Sequence, residues 1–409
     1  METIVQKFGG TSVGSIQRIQ HVANLIIEEY ERGNGVVTVV SAMGKSTDEL
    51  VALATAITEN PSKREMDMLL TTGEQVTISL LTMALQAKGY DAISLTGWQA
   101  GITTESVHGS ARISNINTER IQSLLQKGTI VIVAGFQGLS KENEITTLGR
   151  GGSDTTAVAL AATLKAKKCD IYTDVTGVYT TDPRVVKDAY KLDEISYDEM
   201  LELANLGAGV LHPRAVEFAK NHNVVLEVRS SMKQENGTIV RGECNMEQQS
   251  IVKGIAFEDN ITRVTIKGLE QGALSTVFST LATAHINVDI IIQSITNEGT
   301  VHLSFSIHSD DLRETLEVLE QNQEALHYES VEYENHLAKV SIVGSGMVSN
   351  PGVAADMFST LKDENIHIKM VSTSEIKVSV VIDRLHLVDG VEALHQSFMA
   401  KIEQMVQMN

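Results

Sequence analysis

Apolar runs of strand length alternate with stretches of helical spacing through the first 250 or so residues. Residues 3–7 form a short apolar run, a glycine-rich turn follows, and residues 16–31 place apolar side chains at helical spacing. Residues 35–41 (GVVTVVS) and 129–134 (TIVIVA) are almost continuously apolar and β-branched, the pattern of strands covered on both faces. Residues 155–167 (TTAVALAATLKAK) are alanine-rich and helical, and 170–173 resume as a strand. This order predicts an α/β sandwich built on a mainly parallel sheet.

Beyond that point the chain repeats itself. Val277-Phe278-Ser279-Thr280-Leu281 returns 80 residues later as Met357-Phe358-Ser359-Thr360-Leu361, and the same offset relates Ile286 to Ile366 and Ser294 to Ser374. The first copy reads as strand 263–266, helix 274–284, strands 288–293 and 301–307, helix 311–321 and strand 329–333. That βαββαβ order is the ferredoxin-like unit. The second copy supplies strand 338–343, helix 353–363, strands 368–372 and 377–382 and helix 391–399, then helical spacing to the end. It lacks a fourth strand, which the unused run 250–257 (SIVKGIAF) can provide. The predicted division is therefore a catalytic-type domain over 1–249, a first module over 262–335, and a second over 250–261 and 336–409 that contains the first as an insertion. An incomplete second sheet is the alternative.

Composition narrows the function. A chain of 409 residues with 42% hydrophobic residues and four prolines reads as globular, in two or three domains. A net charge of −19, from 33 basic and 52 acidic side chains, disfavours a broad nucleic-acid-binding face. Small anions, held by local groups, are compatible with it. Cys169 and Cys244 are too few and too separated for a disulfide framework or a zinc site. The opening residues lack a basic segment followed by an apolar one, so no secretory leader is expected. The longest apolar runs are strand-length, so no membrane span is expected either, and a reducing cytoplasm fits.

Two loops carry candidate chemistry. In Lys7-Phe8-Gly9-Gly10-Thr11-Ser12 a strand gives way to a turn whose backbone N–H groups can converge on phosphate. It is not a P-loop, because the lysine precedes the glycines, where it can neutralise a phosphoryl group in transfer. Taken alone it is equally an ordinary tight turn. The second loop, Gly149-Arg150-Gly151-Gly152-Ser153-Asp154-Thr155-Thr156, precedes a helix and can form an anion-binding nest. Arg150 offers a fork suited to a carboxylate, and Asp154 can pair with Lys7. An Arg150–Asp154 pair of purely structural purpose stays open.

These residues resemble the amino-acid kinase family and, within it, the aspartate kinases. The likeness runs through KFGGTSVGS (7–15), VVSAMGKSTDEL (39–50), TTGE (71–74), GFQG (135–138), TLGRGGSDTTA (147–157), YTDVTGVYTTDPR (172–184) and STSEIKVSV (372–380). It implies the family's three-layer sandwich with ACT modules behind it. The implied reaction is Mg²⁺-dependent transfer from ATP to the β-carboxylate of L-aspartate, opening lysine, threonine and methionine biosynthesis. By the same resemblance Lys7 stabilises the γ-phosphate, Asp154 orients Lys7, and amides of Gly9, Gly10 and Gly152 cradle phosphate oxygens. Phe8 and Ser12 belong to the same nucleotide-binding loop. Arg150 would bind the substrate α-carboxylate and Glu74 its ammonium, with Ser41, Thr47, Ser153 and the backbone at Phe136 completing the pocket. Thr173, Asp174, Tyr179, Asp182 and Arg184 would serve the nucleotide.

Bland readings stand beside these. Glu74 follows a glycine at an expected helix start, where a carboxylate is favoured anyway. Ser41 and Thr47 suit turns or caps, and Asp182-Pro183 is a plain turn signal. No metal cage is expected, with Mg²⁺ carried by phosphates and water. The chain departs from many relatives at Gly209, where a nucleotide-contacting lysine is common, and His212 before Pro213 reads as a packed or capping residue.

The repeats resemble ACT domains, which implies an amino-acid effector, lysine or threonine or both. Gly272 and Ala273 in a strand-to-helix turn, Asn287, Asp289 and Gln293 on a strand, and His367-Ile368 on the partner copy would contact it. Capping of a strand edge is the alternative for Asn287 and Asp289. ACT pairing across chains implies a homodimer or a mixed oligomer, with a small regulatory subunit from an internal start near Met246 as one form. A fused homoserine dehydrogenase is not expected in 409 residues.

Overall fold

The computed structural model describes residues 1–242, 250–296, 299–347 and 349–406; Cys244 and Met246 lie outside them. The chain divides into two compact units. One is Met1–Val178 with Lys191–Ala204 and Gly209–Met246; the other is Tyr179–Tyr190 with Asn205–Ala208 and Glu247–Asn409.

The first unit begins with β1 (Thr3–Phe8), α1 (Ile16–Glu31), β2 (Gly35–Val40), α2 (Ser46–Ile57), α3 (Lys63–Ala87) and β3 (Ala92–Leu95). It continues with β4 (Ile102–Thr104), β5 (Ile113–Ile116), α4 (Glu119–Gln126), β6 (Ile130–Ala134), β7 (Gln137–Ser140) and β8 (Ile145–Thr147). Next come α5 (Gly152–Leu164), β9 (Lys168–Thr173), β10 (Glu194–Ser196), α6 (Tyr197–Asn205), α7 (Pro213–His222), β11 (Leu226–Ser230) and β12 (Thr238–Arg241).

Eight of these strands form one sheet, ordered β10-β12-β11-β9-β1-β2-β6-β3, in which only β11 and β12 run antiparallel to each other. Every residue of β2 and β6 is buried, because helices cover both faces. On one face Phe8, Val36, Val40, Ile130 and Ile132 pack with Ile19, Val22 and Ile26 of α1 and Ile78, Leu81 and Leu85 of α3. On the other α5 lies against β1, β2 and β9. A smaller sheet, β5-β4-β7-β8, completes the unit. At 25 residues α3 is long and apolar enough to cross a membrane, yet its Asp67, Thr71, Glu74 and Thr77 are buried inside the protein.

The second unit has strands β13 (Gly254–Leu269), β14 (Ile291–Ile295), β15 (Val301–His308), β16 (Ser330–Val343), β17 (Met370–Thr373) and β18 (Lys377–Asp383). Its helices are α8 (Leu274–Thr283), α9 (Leu312–Gln321), α10 (Gln323–Leu326), α11 (Val353–Asp363) and α12 (Leu387–Val406). The six strands make one sheet, β14-β15-β13-β16-β18-β17.

Here the structure departs from the sequence pattern. Runs 250–257 and 263–266 fuse into the single strand β13, and 329–333 and 338–343 into β16. The polar interruptions at Asp259-Asn260 and Glu334–His336 are absorbed as register shifts rather than turns. Gly254–Glu258 pairs with Val343–Lys339, while Arg263–Lys267 pairs with Glu334–Ser330. Each half of the sheet thus acquires four strands in ferredoxin-like order. The strand expected over 288–293 starts only at Ile291, and the helix expected from 391 starts at Leu387.

Candidate active site

Parallel strands present their carboxyl ends on one side, where α/β proteins bind ligands. Lys7 and Phe8 end β1 there, Ser41 follows β2, Phe136 follows β6 and Thr173 ends β9. The Lys7 Nζ lies 2.6 Å from Oδ1 of Asp154 in the first turn of α5, both side chains little exposed at 12% and 13%. Glycines on the two loops pack tightly against their neighbours. A Cβ on Gly10 would sit 2.8 Å from the Ala42 carbonyl oxygen, and Gly151 has φ +66° with His212 pressed against it.

Local structure adjusts the phosphate-binding expectations. The glycine turn after β1 enters one 3₁₀ turn (Gly10–Val13), and α1 starts only at Ile16, capped by Ser15. The Gly9 amide donates to the Tyr172 carbonyl at 3.4 Å and that of Gly152 to the Gly149 carbonyl at 3.0 Å. The Gly152 amide therefore closes its own turn. Among the described residues the amides of Ser153 and Asp154, at the start of α5, have no carbonyl partner and carry the positive end of the helix.

Glu74 is not at a helix start but in the middle of α3. Gly73 lets the helix close on the end of β2, since a Cβ there would meet that of Ala42 at 2.8 Å. Glu74 Oε1 accepts the Ala42 amide at 3.1 Å, whereas Oε2 is buried without a partner. Burial raises the carboxyl from its ordinary 4.5 to about 8, offset only in part by backbone hydrogen bonds. Phe136 holds a left-handed φ of +70°, rare for an aromatic residue, fixed by its amide donating to Thr156 Oγ1 and its carbonyl accepting from Leu148.

A single cavity of about 750 Å³ is lined by Lys7, Ser41, Thr47, Glu74, Phe136, Arg150, Gly152, Ser153 and Asp154. Arg150 is exposed and, among the described residues, has no hydrogen-bond or ion-pair partner. The cavity thus holds a paired cation and acid at one side, with a lone buried carboxyl and a free guanidinium also opening onto it.

Other expected residues do not line this cavity. Phe8 is fully buried and stacks on Tyr172 at 4.4 Å. Ser12 donates to Ser231 Oγ at 2.8 Å, and Thr173 Oγ1 to Asp174 Oδ1 at 3.0 Å, at the ends of β1, β9 and β11. Tyr179, Asp182 and Arg184 belong to the second unit, where Arg184 clasps Asp182 through Nε at 3.0 Å and Nη2 at 2.6 Å. His212 caps α7 through Nδ1, and Gly209 has open space around it.

In the second unit Gly272 (φ +94°), Asn287, Gln293 and His367 are exposed, with Ala273 and Ile368 half-buried. Asp289 is already engaged by Lys339, a buried lysine that also meets Glu258 at 2.9 Å.

Sequence reasoning missed Asp67. Its carboxylate is fully buried on α3, seven residues before Glu74 and so on the same helix face, and it borders the cavity with His108 and Thr147. The spacing within EMDMLLTTGE is the signal that was available.

The arrangement suits an α/β phosphotransferase: a paired cation and acid at the strand ends, with an unpartnered buried carboxyl and a free guanidinium on the same cavity. Residues 2–230 match the model of the amino acid kinase family, and 340–398 that of an ACT domain. The chain is 69% identical over 400 residues to an aspartokinase of Bacillus sp. (strain MGA3), covering 97% of each. Among solved structures, E. coli aspartokinase III in complex with aspartate and ADP (R-state) aligns with a TM-score of 0.81 at 28% identity, over 97% of this chain and 100% of that one. The same enzyme in complex with lysine and aspartate (T-state) gives 0.77, again at 28% identity and over 97% and 100% of the two chains. The chain belongs to the amino acid kinase family, among the aspartokinases.

Proposed function

We propose that this chain transfers the γ-phosphoryl group of ATP to the β-carboxylate of L-aspartate, giving 4-phospho-L-aspartate and ADP. The observation that carries this reading is the single cavity onto which Lys7, Asp154, Glu74 and Arg150 all open. Lys7, held by Asp154, supplies fixed positive charge for the phosphoryl group, and the free amides of α5 add theirs. A β-carboxylate oxygen attacks the γ-phosphorus as the bond to the bridging oxygen breaks, and that oxygen leaves on ADP. The nucleophile is ionised at neutral pH, so no general base is needed.

Arg150 takes the α-carboxylate bidentately, and Glu74 takes the ammonium at its unpartnered oxygen. Ser41, Thr47, Ser153 and the Phe136 backbone complete the acceptor site. Gly9, Gly10, Ser12, Thr173 and Asp174 serve the nucleotide, and the resemblance adds Tyr179, Asp182 and Arg184. The cavity is lined by Lys7, Lys63, Arg150, His108 and separate carboxylates, which suits Mg²⁺ carried on the ATP phosphates. Bound, it would neutralise phosphate charge.

The same reading makes 262–335 an ACT domain inserted in another formed by 250–261 and 336–409, supported by the pairing of Gly254–Glu258 with Lys339–Val343. An effector, lysine or threonine or both, would bind near Asn287, Asp289 and Gln293 and restrain flux into the pathway. Exposed Ile291, Ile292 and Ile295 on the edge strand β14 favour pairing with a second chain, in a homodimer or with a smaller regulatory subunit. The buried, free Cys169 fits a reducing cytoplasm.

A hydroxamate assay with ATP and each of aspartate, glutamate and acetylglutamate tests the assignment. Aspartate alone should yield product, and equal turnover of glutamate would overturn the choice of acceptor.

A further inference from the structure

A carboxylate withdrawn from water is costly unless its oxygens are fully hydrogen-bonded. Asp67 meets that requirement with partners from two separate segments. His108 Nδ1 lies 2.9 Å from Oδ2, the Gly109 amide donates to both oxygens at 3.1 Å, and Thr147 Oγ1 donates to Oδ1 at 2.6 Å. The carboxylate thus ties the 108–109 loop and the end of β8 to α3.

This clamp bears directly on Arg150. Thr147 stands three residues before it, and Gly149 has φ +76° with the Gly109 carbonyl 3.1 Å from where its Cβ would be. The loop that Asp67 holds is therefore the wall against which the arginine-bearing turn is folded. Arg150 has no side-chain partner of its own among the described residues, so its aim is set by the backbone of that turn.

We propose that Asp67, through its clamp on His108, Gly109 and Thr147, is a positioning residue for Arg150 and sets the affinity for the α-carboxylate of the amino-acid substrate. This rests on the reading of Arg150 as the ligand of that carboxylate. In Asp67→Asn an amide NH₂ faces donors that the second oxygen had accepted, which loosens the loop while keeping the side chain's volume.

Kinetics on the full chain test it. Asp67→Asn should raise the KM for aspartate about tenfold or more, with kcat and the KM for ATP changed less than about twofold. Because Asp67 acts through Arg150, adding Asp67→Asn to Arg150→Ala should raise that KM by less than about twofold further. Should Asp67→Asn fold poorly, His108→Ala, on a loop with 23% of its side chain exposed, carries the same comparison. An aspartate KM unchanged in both variants, or a fully multiplicative double mutant, overturns the positioning role while leaving Arg150 as a ligand. An Arg150→Ala enzyme with its KM for aspartate unchanged overturns the underlying reading instead.

Discussion

The role proposed for Glu74 makes aspartate binding a proton-coupled event. In the free enzyme burial holds its carboxyl at about 8. At pH 6 about 1% of it is then ionised, and at pH 8 about half. An ammonium group binds the ionised form, so the apparent affinity scales with that fraction. Aspartate affinity should rise about 50-fold between pH 6 and pH 8 and level off above. The sign follows from release: the proton leaves as the ammonium arrives, so higher pH favours the complex. Isothermal titration of aspartate near pH 6.5, in buffers of differing ionisation enthalpy, should show about one proton released per ligand bound. Glu74→Gln should bind weakly and without this pH dependence. Equal affinities at pH 6 and 8, with no proton released, would refute both the role of Glu74 and the argument from its burial. The same carboxyl carries a stability signature. Its folded value lies above the unfolded one near 4.5, so its contribution is fully present below pH 4.5 and is lost as pH rises toward 8. The loss amounts to at most about 5 kcal/mol, so ligand-free Glu74→Gln should melt higher than the parent at pH 8.

Lys7→Ala should lower kcat by about a thousandfold or more while aspartate still binds, as the role proposed for the lysine on the phosphoryl group requires; unchanged turnover would remove it from the chemistry. Gly151→Ala should unfold the Arg150 turn or abolish activity, since the new Cβ would collide with His212 in a left-handed backbone conformation; native activity and melting temperature would contradict the packing. Gln293→Ala should weaken feedback inhibition about tenfold with basal activity retained, read from inhibition curves with lysine and threonine singly and mixed. Asp289→Ala should do the same and also leave the buried Lys339 with Glu258 as its one carboxylate partner, costing about 1 kcal/mol of stability. Inhibition equal to the parent's in both variants would move the effector elsewhere.

Much of this architecture is written locally. β2 and β6 are β-branched runs with no polar face, so they could only be central strands of a covered parallel sheet, and α1 carries its own cap at Ser15 and its own apolar stripe. Lys7 and Arg150 stood out because glycines around a charged residue are costly in regular structure and mark a turn. Asp67 was legible only as a position on the Glu74 face of a helix, because a lone aspartate there looks the same whether it meets water or a buried clamp. Glu74 was expected at a helix start and lies in mid-helix. Only the approach of α3 to Ala42 shows that Gly73 is a contact point in mid-helix.

The sequence by itself determined the alternation of elements, the 80-residue repeat and the two glycine turns, since each depends on neighbours within a few residues or on self-similarity. Tertiary structure alone decided three things: that β13 and β16 run unbroken through both repeats, that burial raises the Glu74 carboxyl to about 8, and that Asp67 meets His108, Gly109 and Thr147. The reason is the same in each case. Strand pairing, desolvation and hydrogen bonding across 40 to 80 residues depend on which distant groups are brought together, and no local pattern of side chains encodes that meeting.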